Sequence, residues 1–187
     1  GYSRFPFIVH YMQRYFETAP VLRRDALEMF FDPGYRNTVS IEDLVKRWTA
    51  AGVRAVHAAG WHQYPKYTYD YAKLIDLCHN NGILVYAWLE PPQVSQKFWL
   101  EHPEWREKNA MGQDARPAWR YPLAMSDAAC MNAMLTAYRD LLVGHDFDGV
   151  NFAEVYFESG PGGPENVEAF TPMHPSARHE FAKLRGF

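Results

Sequence analysis

Three times in this chain a helical pattern ends on a glycine, and an apolar, β-compatible run starts within a few residues. Gly52 precedes Val53 to Ala59, Gly82 precedes Ile83 to Leu89, and Gly144 precedes the run from Phe147. A glycine just past a helix accepts the left-handed turn that stops it. Repeated helix–Gly–strand punctuation is the pattern of βα units, whose parallel strands need a crossover helix between them. The chain therefore reads as an α/β fold in one domain, residues 1–187, with enough length for a real core.

In order, Phe7-Ile8-Val9-His10-Tyr11-Met12 reads as a first strand, and residues 20–36 fit a helix loosely, stopped by Asp32-Pro33-Gly34. Ser40 caps the next helix, with Asp43 three residues on as in a capping box. Ile41, Leu44, Val45, Trp48 and Ala51 share one face of it. A helix near 69–80 carries Ala72, Ile75 and Cys78 in step. The segment 93–125 is a long excursion rich in Trp, Pro and charge, and loops of that length are functional or carry short elements of their own. Ser126 is expected to cap a third helix, and 175–185 to form a last short one. Four strands are too few for a closed (β/α)8 barrel of typically about 250 residues. The expectation is the first four βα units of a TIM-barrel type fold, with a small open α/β sheet as the other possibility.

In either fold a ligand sits at the C-terminal ends of the strands. The unusual polar and aromatic residues cluster there: His57 with Trp61, His62 and Tyr64, then Trp88 with Glu90, then Asn151 to Glu158. Aromatics make up 16% of the residues, which suits a large core and a ring-lined cleft alike. A net charge of −3 and the absence of a Lys/Arg run argue against nucleic acid. No apolar run approaches the length of a membrane span. Nothing reads as a signal peptide, so the compartment stays open, with an extracytoplasmic setting favoured over the cytoplasm. Cys78 and Cys130 lack metal or redox spacing and read as buried free thiols. There is no GxSxG, P-loop or GxGxxG, and no cofactor is expected. His10, His57 and His62 match no ligand motif, so no metal is expected, and a metal-dependent hydrolase is the weakest reading.

Several segments together resemble the hypothetical glycosyl hydrolase families, relatives of α-amylase and α-L-fucosidase type barrels. They are Gly52 to Val56, Gly82 to Tyr86, Glu101-His102-Pro103-Glu104-Trp105-Arg106 with Gly112, and Asp148-Gly149-Val150-Asn151-Phe152. The resemblance covers about residues 40–187. Pro175 to Arg178, Phe181 and Gly186 look like the short helix these families place after the fourth strand. It implies a half barrel whose remainder, or a homo-oligomer partner, completes the ring. One departure stands out: Ala153 occupies the slot where such families often carry Asp, and Glu154 matches only the next position.

Glycoside hydrolysis usually uses two carboxyl groups flanking the bond. The expected catalytic candidates are Glu154, Glu90 and Glu158. If their strand stayed extended, Glu154 and Glu158 would stand about 13 Å apart, which makes Glu90 on the preceding strand the better partner for Glu154. His57, Trp61, His62, Tyr64, Trp88, Asn151 and Tyr156 are the expected substrate-binding residues, offering hydrogen bonds and stacking faces to a carbohydrate. An Arg-paired Glu154, an exposed Glu90 before a Pro-Pro turn and core aromatics are the plain structural alternatives. A non-catalytic glycan-binding or scaffold domain on the same fold is the rival function, motivated by Ala153.

Overall fold

The computed structural model describes residues 27–33, 39–60, 69–116, 120–157 and 162–187. The described elements run β1 (Leu27–Phe31), α1 (Ile41–Ala51), β2 (Val53–Ala59), α2 (Tyr71–Asn80), β3 (Leu84–Leu89), α3 (Gln96–Glu101), α4 (Ala128–Val143), β4 (Gly149–Phe152) and α5 (Pro175–Arg185). Short 3-10 turns at Pro103–Trp105 and Gly163–Glu165 punctuate the connections. The four strands form one parallel sheet in the order β1-β2-β3-β4.

Local chemistry explains most boundaries. Ser40 accepts the Asp43 N–H at 3.1 Å and opens α1, and Gly52, with φ 81°, closes it. Asp70 caps α2 by accepting from the Lys73 N–H. The cap of α4 is Asp127, whose Oδ1 accepts from the Ala129 and Cys130 N–H groups, and Ser126 instead bonds the Ser176 hydroxyl at 2.7 Å. Adjacent cap-type residues compete for one position, and the carboxylate wins here over the expected serine. Residues 27–31 form a strand within the stretch read as a loose helix. Its register, Phe30 with His57 and Phe31 with Ala58, shows why: β-sheet pairing with β2 overrides local propensity. The strand expected at residues 7–12 lies outside the described residues.

Strand alternation gives the sheet two unlike faces. On one, Phe31, Val56, Ala58 and Val85 pack beneath Leu44, Val45 and Trp48 of α1 and Leu74, Ile75 and Cys78 of α2. Further along, Leu89 packs with Cys130, Met134 and Tyr138 of α4 and with Trp99 and Leu123 of the excursion. Leu141 touches both groups and joins them. Burying each large aliphatic side chain here stabilises the fold by about 1.5–3 kcal/mol. The other face carries Glu28, Phe30, His57, Tyr86, Trp88, Gly149 and Asn151, with no described helix over it. So α1, α2 and α4 lie on one side, and the strands follow chain order.

The Asp148-Gly149 entry into β4 is architectural. Asp148 Oδ2 accepts from the Val85 N–H at 2.7 Å and pairs with His79 at 2.9 Å, which sets the β3/β4 register. Gly149 stands across from Tyr86, and a Cβ there would meet the ring at 2.9 Å.

The excursion after β3 is held by its own contacts. The His102 ring stacks on Trp105 at 4.2 Å, and the Arg106 guanidinium lies 4.0 Å over Trp99. Glu107, fully buried, accepts through Oε1 from the N–H groups of Lys108, Met173 and His174. That one carboxylate ties the excursion to the start of α5.

Candidate functional site at the C-terminal strand ends

The ladder between β3 and β4 continues past Phe152, because the Ala153 N–H donates to the Leu89 carbonyl at 2.9 Å. Glu90 therefore stands across from Ala153, one residue before Glu154. Glu154 follows with its backbone turned out of the extended strand conformation. The strand itself ends at Phe152, so the condition of an extended run from Glu154 to Glu158 is not met.

Glu90 is 8% exposed. The Trp88 indole Nε1–H donates to its Oε1 at 2.5 Å and fixes the carboxyl, while Oε2 has no hydrogen-bond partner. The structural alternative of an exposed Glu before the prolines does not hold. Trp88 and the Pro91-Pro92 turn enclose it, and both prolines are buried. Burial pushes the nearby Tyr138 phenol up, and the Glu90 charge adds to that shift.

Glu154 has φ 52°, the left-handed region that a side chain makes costly. Its carboxylate forms an ion pair with Arg120, and its Oε2 also accepts from the Tyr156 hydroxyl at 3.1 Å. Arg120 in turn donates to Tyr156 Oη at 3.0 Å and is itself buried. The three side chains close a triangle. Arg120 is brought there by a small ribbon. Gln93 bridges Pro122, the Val94 N–H bonds the Tyr121 carbonyl, and the Leu123 N–H bonds the Pro92 carbonyl. The turn after Glu90 and the arm bearing Arg120 are thus zipped together.

Lower on the same face, Asn151 Nδ2 lies 3.3 Å from His57 Nδ1, and His57 Nε2 lies 3.1 Å from Glu28 Oε2. Both contacts are satisfied when Asn151 donates to Nδ1 and Nε2–H donates to Glu28. His57 also stacks on Tyr86 at 5.2 Å, and Phe30 meets Trp88 edge-on at 4.9 Å.

The structure thus brings Glu90, Trp88, Glu154 and Tyr156 to one rim, with His57 and Asn151 below it. Trp61, His62, Tyr64 and Glu158 lie outside the described residues. Arg120, Gln93 and Glu28 join the site without having been singled out in the sequence. Arg120 and Gln93 sit inside the long excursion, whose fold no periodicity reveals, and Glu28 sits in the stretch read as helix. The Pro-Pro pair ahead of Gln93 was the one available signal, since it forces a turn at the strand end. Among the described residues no group of three or more His, Cys, Asp and Glu side chains is placed to hold a metal ion. No described helix is long and apolar enough to cross a membrane.

No protein-family model and no curated protein matches the chain. Solved structures do. The polyextremophilic β-galactosidase of the Antarctic haloarchaeon Halorubrum lacusprofundi aligns over 86% of this chain and 25% of its own, with TM-score 0.61 and 15% identity. The α-L-fucosidase isoenzyme 2 of Paenibacillus thiaminolyticus aligns over 81% of this chain and 24% of its own, with TM-score 0.58 and 12% identity. The galactosidase domain of the α-galactosidase-sucrose kinase AgaSK aligns over 90% and 26%, with TM-score 0.51 and 16% identity. This chain spans about a quarter of each. At such identities the likeness defines a class of fold: a glycosidase-like mixed α/β fold with a four-stranded parallel sheet.

Proposed function

We propose that this chain belongs to a glycoside hydrolase and contributes the first four βα units of a (β/α)8-type barrel. Glu90 and Glu154 flank the scissile bond of an oligo- or polysaccharide. What supports the reading is that Glu90 and Glu154 follow adjacent parallel strands, Glu90 standing across from the residue before Glu154 and bonded to Trp88. The winding supports the barrel. A doubly wound sheet reverses its strand order and places helices on both faces, whereas the described sheet has sequential strand order and α1, α2 and α4 share one face. The face without described helices is the side that a closed barrel turns inward, and the strand ends above it form the mouth. Trp88 offers the sugar a ring to stack on, and His57 and Asn151 present hydrogen-bonding groups below.

Ala153 and the Arg120 pair give a specific second reading. With no carboxyl on the sheet side of that position and Glu154 held by a guanidinium, the same rim binds a glycan without cleaving it. Incubation with 4-nitrophenyl galactosides, fucosides and glucosides, with product analysis beside calorimetry on the free sugars, separates the two. Release of nitrophenol that Glu90→Gln reduces by about 10²–10⁴-fold supports hydrolysis. Sugar binding without product supports the second reading.

A further inference from the structure

Glu90-Pro91-Pro92-Gln93 is a closed turn, with the Gln93 N–H donating to the Glu90 carbonyl at 2.6 Å. In such a turn the first and fourth Cα atoms lie within about 7 Å, so their side chains leave from neighbouring points. Gln93 is 2% exposed, and neither Nε2 nor Oε1 of its amide has a hydrogen-bond partner. Glu90 Oε2 is likewise buried and unpartnered. Three orphaned polar atoms therefore come from one four-residue turn at the end of β3. Buried amides and carboxylates are nearly always satisfied, so each such atom calls for a partner.

We propose that Gln93, together with Glu90 Oε2, is a sugar-hydroxyl subsite that reads a vicinal diol. The inference rests on the reading of this rim as a carbohydrate site. The three atoms decide the ligand class. Nε2 donates, and Oε1 and Oε2 accept. An anion would meet the Glu90 carboxylate. A cation would meet the Nε2 donor and find only two oxygens, far fewer than hard cations take. A neutral polyol fits all three, because each hydroxyl both donates and accepts. Two adjacent hydroxyls can engage both ends of the amide, and a third can donate to Oε2. The Trp88 indole holds Oε1, which leaves Oε2 as the carboxylate oxygen still in need of a donor.

The test pairs stability with binding. Gln93→Met keeps the length and removes both polar ends, and Gln93→Glu keeps the shape but turns the donor into an acceptor. Calorimetric titrations use D-galactose, L-fucose and D-glucose against the 187-residue chain, alongside melting without sugar. The proposal expects Gln93→Met to melt no lower than the parent while binding of the preferred sugar weakens at least tenfold. Gln93→Glu should lose affinity as well. An amide satisfied by internal water behaves oppositely, and a lower melting point with unchanged affinity overturns the proposal. So does unchanged affinity in both variants, or no binding of any of the three sugars by the parent. Binding that depends on Gln93 without turnover of aryl glycosides sinks the hydrolase reading alone and leaves the subsite standing.

Discussion

At the scale of single residues, the site depends on where side chains are absent as much as on where they are present. Gly149 leaves the space that Tyr86 fills, and Tyr86 in turn backs the His57 ring. Gly149→Ala forces the ring aside and should destabilise the protein by about 1–3 kcal/mol, the usual cost of overpacking, as a lower urea midpoint. An unchanged midpoint would show that Tyr86 has room to move. The same residues show what sequence reading reaches. Asp148-Gly149 was visible as a strand entry, but its task of setting register through Val85 and His79 was not. That task depends on a partner 63 positions away in the chain. Glu154 was legible as a strand-end carboxylate, whereas its positive φ and the Arg120 and Tyr156 contacts emerge only once the excursion folds back.

At the scale of elements, boundaries followed local chemistry wherever a cap or a glycine was available. The strand Val53–Ala59 and the helix Pro175–Arg185 fall where the periodicity puts them, because a glycine or proline fixes an end of each. The stretch around β1 misled because Leu27, Met29, Phe30 and Phe31 satisfy both periods, and only the neighbouring strand decides between them. The excursion showed its length and its aromatic content but not its anchor. Glu107 supplies that anchor by holding three backbone N–H groups. Glu107→Ala should cost about 3 kcal/mol by orphaning them, and should speed amide exchange at Met173 and His174. Glu107→Gln retains an acceptor and should lose much less. Equal losses in the two variants would mean that bulk, not hydrogen bonding, holds the junction.

At the scale of the whole molecule, one face of the sheet packs beneath α1, α2 and α4, and the other carries Glu28, His57, Tyr86, Trp88 and Asn151 without a described helix over it. Cys78 and Cys130 lie fully buried on the core side, where burial pushes both thiols from an ordinary 9.0 up to about 12. The sign follows directly. Above pH 9 the unfolded chain releases thiol protons that the folded chain keeps, so stability falls as pH rises from 9 toward 12. Urea midpoints at pH 8 and pH 10.5 should show that fall, and a Cys78→Ala, Cys130→Ala double variant should show a smaller one. An equal fall in the double variant would assign it to the buried tyrosines instead. The parallel βα build was legible from the helix–Gly–strand repeat, but the strand order was not. The two-faced character of the sheet was not, because β2 and β3 read as nearly continuous apolar runs until their partners are known. Glu154 is the residue on which the proposed hydrolysis depends. The most direct measurement is kcat on the preferred 4-nitrophenyl glycoside for the parent and for Glu154→Gln, with folding checked by melting. The account predicts a loss of at least about a hundredfold with sugar affinity retained. Equal kcat in the two proteins would contradict it and leave Glu154 only its structural partners, Arg120 and Tyr156.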